Sequence, residues 1–158
     1  KFRGFTIVEL LVVIVVIGVL STVATVSYRG IQRDARDSER ETDIQIIMAS
    51  LERFYDENGH YPGGATVTSA SGGTAGYFQN TLGVPVQALT TPGSTSTSIV
   101  QGATTWGNSS NFVHTRYTYT PYTSANDACS MASCVKYSLR YKKESDNSNV
   151  VVNSRYGW

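Results

Sequence analysis

From Phe5 to Tyr28 the chain is apolar at almost every position, and Glu9 is the one charged side chain between Gly4 and Arg29. As a helix this run would extend about 36 Å at roughly 1.5 Å per residue, more than the hydrocarbon core of a bilayer. A membrane-crossing helix is the expectation. A cleaved secretory signal has a shorter apolar core, of roughly 7–15 residues, followed by a small-residue cleavage site. Lys1 and Arg3 stand before the run, and basic residues on that side favour a cytoplasmic N-terminus and an exported body.

After Tyr28 the pattern changes to QRDARDSERETD, Gln32 to Asp43, whose charges fall on every side of a helix and predict a solvated segment. Arg33 with Asp37, and Arg36 with Glu39, have the spacing of supporting ion pairs. From Ile44 the apolar positions are Ile44, Ile47, Met48, Leu51, Phe54 and Tyr55, the spacing of a helix that buries one face. In ENGHYP, Asn58 and Gly59 can take the left-handed conformation that closes a helix, and Pro62 cannot continue one. One helix of about 80 Å is therefore predicted from Phe5 to the neighbourhood of Asn58. Gly18, followed by Ser21, Thr22 and Thr25, lowers local helix propensity and marks the place for a bend or melted turn.

Residues 63–111 are rich in Gly, Ser and Thr and read as irregular loops with short strands, docked through Tyr77, Phe78, Leu82, Val84, Val86 and Leu89. Further on, Val135, Tyr137, Leu139 and Tyr141 alternate with Lys136, Ser138, Arg140 and Lys142, the pattern of a half-buried strand. ESDNSN supplies a turn, and Val150, Val152, Tyr156 and Trp158 predict a second strand paired with the first as an antiparallel hairpin. FVHTRYTYT predicts a third. A sheet of this kind needs one face covered, and the Ile44–Tyr55 face is the natural cover. The fold class is α+β: a long N-terminal helix whose C-terminal half packs on an antiparallel sheet.

Composition narrows the function. Thirteen Lys and Arg against twelve Asp and Glu give a net charge of +1, so no overall basic field points to nucleic acid. Cys129 and Cys134 are the only cysteines, and an even count in an exported chain favours a disulfide between them. No histidine lies within ten residues of the pair, which argues against a zinc site of about four ligands. His60 and His114 have plain structural readings, and no GxSxG nucleophile elbow is present. No enzymatic activity, cofactor, metal or small-molecule substrate is expected. Glu144, Asp146, Asn147, Ser148 and Asn149 could offer oxygen atoms to calcium, but a solvated hairpin turn is the plainer reading. Asn108-Ser109-Ser110 matches a glycosylation pattern that also arises by chance.

The segment GFTIVELLVVIVVIGVL resembles the start of the type IV pilin superfamily, which includes the pseudopilins of secretion and DNA-uptake systems. The resemblance covers about the first 28 residues closely, and it implies the type IV pilin fold for the rest. It makes Lys1–Gly4 the remnant of a leader cut between Gly4 and Phe5 by a prepilin peptidase, with N-methylation of Phe5. It makes 5–28 a membrane and filament-core helix carrying Phe5, Thr6, Leu10, Leu11, Ile14, Ile17, Gly18 and Tyr28. Residues 29–58 become the polar, then amphipathic, continuation, and 59–158 the globular head. A carboxylate within hydrocarbon is a functional candidate with a partner. The resemblance supplies that partner for Glu9: the amino group of Phe5 in a neighbouring subunit.

The function so implied is that of a pilin, polymerising with copies of itself into a surface filament after residence in the inner membrane, with the pilus assembly machinery as partner. Adhesion and twitching motility are the activities such filaments serve, and nucleic acid would be a partner only in a DNA-uptake filament. The alternative is a pseudopilin of a type II secretion or competence system. Many type IVa pilins have a proline two residues before the tyrosine matching Tyr28, where this chain has Val26. A membrane-tethered binding domain is the remaining reading, and it leaves Glu9 and the Gly4–Phe5 junction without a purpose.

Overall fold

The computed structural model describes residues 4–102, 112–131 and 134–157, without the side chains of 23–27. The predictions made for Lys1, Arg3, Asn108-Ser109-Ser110 and Trp158, and the comparison at Val26, lie outside these residues.

A single helix, α1, runs from Ile7 to Asn58, about 78 Å at the usual rise. It begins at Thr6, whose backbone is extended, and stops at Gly59, whose φ of 73° lets its N–H bond back to the Tyr55 carbonyl. A residue with a Cβ would be strained in that left-handed conformation. The helix continues through Gly18, where a bend or melted turn was expected. There the Ser21 hydroxyl donates to the Ile17 carbonyl and the Thr22 hydroxyl to that of Val19, bonds back onto the preceding turn that a helix accommodates at a small cost in stability.

The predicted core face is as written in the sequence: Ile44, Ile47 and Leu51 are buried, with Met48, Phe54 and Tyr55 packed at their margin. Against them lies a four-stranded sheet in the order β1 (Ile99–Gln101), β2 (Tyr117–Tyr122), β3 (Lys136–Lys142) and β4 (Asn149–Asn153). β2, β3 and β4 are antiparallel, with Tyr119 opposite Leu139 and Leu139 opposite Val152. The short β1 joins parallel to β2. Tyr117, Tyr119, Tyr137, Leu139 and Tyr141 belong to the core. Their phenols reach acceptors on the helix or its exit: Tyr117 donates to Asp43 at 2.6 Å, Tyr137 to Glu52 at 2.9 Å and Tyr119 to the Pro62 carbonyl at 2.8 Å. Tyr61 also donates to Glu52, at 2.7 Å. Burying a phenol without such a partner would cost about 1–3 kcal/mol.

Three expectations are corrected. First, the Gly-, Ser- and Thr-rich region contains α2 (Gly64–Ser69), α3 (Gly73–Asn80) and a 3₁₀ turn at Gln87–Leu89 besides β1. Val67, Tyr77, Phe78, Ala88 and Leu89 of these elements are buried, so tertiary packing overrides poor intrinsic propensity. Second, β3 is buried on both faces: Lys136, Ser138 and Arg140 are as covered as their apolar neighbours. Arg140 Nη2 donates to the Tyr122 hydroxyl at 2.6 Å and Lys136 Nζ to the Ser124 carbonyl at 3.3 Å. The chain end also closes on this face, since a Cβ on Gly157 would meet the Val135 carbonyl at 2.6 Å. Third, the charged stretch of α1 is not fully solvated, because Asp37, Arg40 and Asp43 are buried.

Cys129 and Cys134 are joined in a disulfide. The loop they close docks on the helix exit: Tyr61 N–H donates to the Cys134 carbonyl, Gly64 N–H to that of Cys129 and Ala65 N–H to that of Ser130. The last two are donors at the start of α2 that the helix itself cannot satisfy. A Cβ on Gly63 would lie 2.5 Å from the Met131 carbonyl oxygen, so this docking needs a glycine.

Candidate functional site

Gly4, Phe5 and Thr6 precede α1 in non-helical backbone, and all three are exposed. The Gly4–Phe5 peptide bond is thus free of helical hydrogen bonds and open to an enzyme. Thr6 then starts the helix through a reciprocal cap. Glu9 N–H donates to Thr6 Oγ1 at 3.3 Å, while Thr6 N–H and its hydroxyl both donate to Glu9 Oε2 at 2.8 Å. Such a capping box satisfies two donors at the helix start. It engages one carboxylate oxygen of Glu9; Oε1 has no hydrogen bond among the described residues. Cleavage after Gly4 would leave the box intact, because Thr6 would keep its amide N–H.

Beyond the cap, large apolar side chains are exposed on every side of the helix. Phe5 and Ile7 are 85% exposed, and Leu10, Leu11, Ile14 and Ile17 more than half. A folded monomer in water rarely shows an apolar patch above about 300–600 Å², so this surface calls for a cover. Among the described residues no helix is long and apolar enough to cross a membrane. The apolar run of the sequence continues through 23–27, whose side chains lie outside the described residues. Gly18 has open space around it and Tyr28 is 62% exposed. Among the described residues, none of these belongs to the core of the sheet-bearing part of the molecule or packs against it.

A second cluster fixes the polar middle of α1 to the turn between β3 and β4, and its role was not legible in the charge spacing. Glu144 on that turn takes Arg36 at 2.7 Å through one oxygen and Arg40 through the other. Arg40 also contacts Asp37 at 3.0 Å and donates to the His114 carbonyl at 3.2 Å. Asp37 in turn accepts from the Glu144 and Ser145 backbone N–H groups. Arg36 and Asp37 therefore pair across the fold, and with Arg40, in place of the Glu39 and Arg33 partners expected from spacing. Burial alone would raise the Asp37 carboxyl, but the bonds from Glu144 and Ser145 and the nearby Arg40 charge hold it below its ordinary value. Glu144 is likewise held low, since its two guanidinium partners outweigh its burial. Asp43 goes the other way: desolvation raises it against the Tyr117 hydrogen bond.

The oxygen-rich turn suggested for calcium is used differently. Both Glu144 oxygens are occupied by arginines, and Asp146 accepts from Ser148 N–H at 2.9 Å as part of the turn. The adjoining cleft of about 550 Å³ is lined by Arg33 and His114 as well as by Glu144 and Asp146, a mixed surface unlike a cation cage. His60 Nδ1 lies 3.1 Å from the Tyr61 carbonyl and His114 Nδ1 3.3 Å from that of Lys142. Among the described residues, the hydrogen-bond partners of both rings are backbone carbonyls.

Comparison with known proteins agrees with the geometry of the N-terminus. Residues 1–25 match the family model described as the prokaryotic N-terminal methylation motif. The chain is 30% identical over 59 residues to the type IV major pilin protein PilA of Myxococcus xanthus, a match covering 37% of this chain and 27% of that protein. It is 37% identical over 62 residues to the type II secretion system core protein G of Escherichia coli, covering 39% of this chain and 43% of the relative. The corresponding core protein G of Dickeya chrysanthemi is 33% identical over 60 residues, 38% of this chain and 39% of the relative. The chain thus spans less than half the length of these relatives. No solved structure matches it. The methylation motif thus stands at the start of a capped helix that runs on into a helix-on-sheet head, an α+β arrangement consistent with the type IV pilin fold.

Proposed function

We propose that the chain is the structural subunit of a bacterial type IV pilus, held in the inner membrane by 5–28 and then polymerised through that helix into a surface filament, with 29–58 as its continuation and 59–158 as the head. One observation carries this reading: an apolar helix exposed on all sides that holds one carboxylate near its start. Lipid covers the apolar surface before assembly and the helices of other copies cover it afterwards, so one apolar environment replaces another. A prepilin peptidase acts at the exposed Gly4–Phe5 bond.

The cap explains how Glu9 is tolerated in both settings. A bare carboxylate in hydrocarbon costs several kcal/mol, and the two Thr6 donors offset part of that cost. Cutting after Gly4 creates an amino group at Phe5, beside the positive end of the helix dipole. That amine is best stabilised by a carboxylate, and the free Oε1 of Glu9 in a neighbouring copy is available to it. The test is Glu9→Gln, which keeps an oxygen for Thr6 and removes the charge. Loss of filaments with normal membrane levels of the subunit supports the pairing; filaments in normal numbers refute it.

A pseudopilin of a type II secretion system is the second reading, favoured by the matches to core protein G. Fractionation separates the two, since a pilin is recovered in sheared surface filaments and a pseudopilin stays with the cell envelope.

A further inference from the structure

Nine charged residues lie between Arg29 and Asp43 on α1, and the structure sorts them. Arg36, Asp37 and Arg40 belong to the cluster on Glu144, and Asp43 takes the Tyr117 hydroxyl. Arg29, Arg33, Asp34, Glu39 and Glu41 remain exposed, with no ion-pair partner among the described residues; of these, Arg29 and Asp34 border the apolar run. Nor can their own helix supply one. The residues three and four away from Asp34 are Gly30, Ile31, Asp37 and Ser38, and those beside Arg29 are Thr25, Val26, Gln32 and Arg33.

Their placement relative to Glu9 is specific. Asp34 lies 25 residues after Glu9 on an unbroken helix, and at about 100° per residue the two carboxylates point within about 20° of each other. Arg29 lies 20 residues after Glu9, about 160° round, on the opposite side. The exposed Val13, Val16, Leu20 and Ile31 occupy the same side as the two acids, so an apolar ridge with an acid at each end runs along one face. The cation is on the other. A helix with complementary charges on opposite faces suits head-to-tail contacts, in which each copy presents one face to the copy ahead and the other to the copy behind.

The axial offsets also agree. Bringing a neighbour's Phe5 level with Glu9 displaces that neighbour by two helical and up to two extended residues, about 6–9 Å. Bringing its Arg29 level with Asp34 needs five residues in the same direction, about 7.5 Å. The difference, at most about 2 Å, is well within the reach of an arginine side chain. We propose that Asp34 of one copy pairs with Arg29 of the next, a second charge contact that sets helix register in the filament together with Glu9. The inference rests on the filament reading above, and the occupant of this face is a second copy of the same chain.

The test is a charge swap in the full-length chain, read by counting sheared filaments. Asp34→Arg and Arg29→Asp should each lower filament yield at least about tenfold, by setting like charges opposite each other. Arg29→Asp/Asp34→Arg should restore at least half of the wild-type yield. Both sites are exposed, so the urea midpoint of each detergent-solubilised variant should match wild type, which separates failed assembly from failed folding. Single variants that assemble normally overturn the pairing, as does a swap that stays as deficient as the singles. If the wild-type chain forms no filament in any envelope or surface fraction, the parent reading fails and the pairing with it.

Discussion

Arg40 is the residue whose removal tests the architecture most sharply. Its side chain is 1% exposed, it contacts Asp37 and Glu144, and its Nε has no hydrogen-bond partner among the described residues. Arg40→Met keeps the length and the apolar stem and deletes the charge. Two ion-pair contacts are lost, at about 1.5–3 kcal/mol each, together with the bond to the His114 carbonyl, and one unsatisfied buried donor is relieved, at about 1–3 kcal/mol. Asp37 keeps its two backbone donors and Glu144 keeps Arg36, so the net cost should be about 2–4 kcal/mol. With a slope of about 1–3 kcal/mol per molar urea, the unfolding midpoint of the detergent-solubilised chain, followed by tyrosine circular dichroism, should fall by about 1–2 M. The penalty should also depend on pH. Asp37 and Glu144 are both held below their ordinary values. Their contribution is complete above the unfolded carboxyl range near about 4 and disappears as pH falls through the folded values. The Arg40→Met penalty should therefore shrink between pH 6 and pH 3. A loss under about 0.5 kcal/mol at pH 6, or a penalty that grows in acid, would show that the cluster does not hold helix and sheet together.

Asp43 offers the opposite sign. Its raised carboxyl makes the charged form a cost that appears as pH rises through the folded value, so Asp43→Asn, which still accepts from Tyr117, should leave stability at pH 7 unchanged or raise it by up to about 1 kcal/mol. Asp43→Ala, by contrast, should lose about 1–3 kcal/mol because the Tyr117 hydroxyl is left without an acceptor; urea midpoints of both variants decide. Replacing Cys129 and Cys134 together by serine opens a loop of five-residue separation, worth about 2 kcal/mol on the loop-entropy relation. Hydrogen exchange should rise first at Gly64 and Ala65, whose N–H groups donate into that loop, and unchanged protection there would mean that the loop holds its shape without the bond.

The features legible in the sequence are those that depend on local pattern. The Ile44–Leu51 spacing and the Gly59 stop report a face and an end, each found where the pattern put it, and the alternation around Leu139 located a strand though not its cover. Partners distant in sequence were not legible. Arg36 and Arg40 looked like members of a solvated helix because Glu144, their acceptor, lies more than a hundred residues away. Lys136 and Arg140 looked solvent-facing because alternation assumes that only one face of a sheet is covered, whereas Tyr122 and Ser124 lie against the other. Residues 64–80 looked irregular because glycine, serine and threonine are poor helix formers, and only burial of Val67, Tyr77 and Phe78 makes α2 and α3 worth forming. At the N-terminus the motif singled out Glu9 and Phe5 as residues of one segment. That Thr6 already engages one Glu9 oxygen and leaves the other open became visible only with the capping geometry.

The central claim is that this chain is cut at the Gly4–Phe5 bond and then polymerises through the helix that follows. The most direct measurement is electron microscopy of material sheared from cells, combined with mass spectrometry of the N-terminal peptide of the chain recovered from it. Thin filaments composed of this chain, beginning at N-methylated Phe5, are the predicted result. Filaments whose subunits retain Gly4, or a chain that is processed yet never found in any filament, would contradict it.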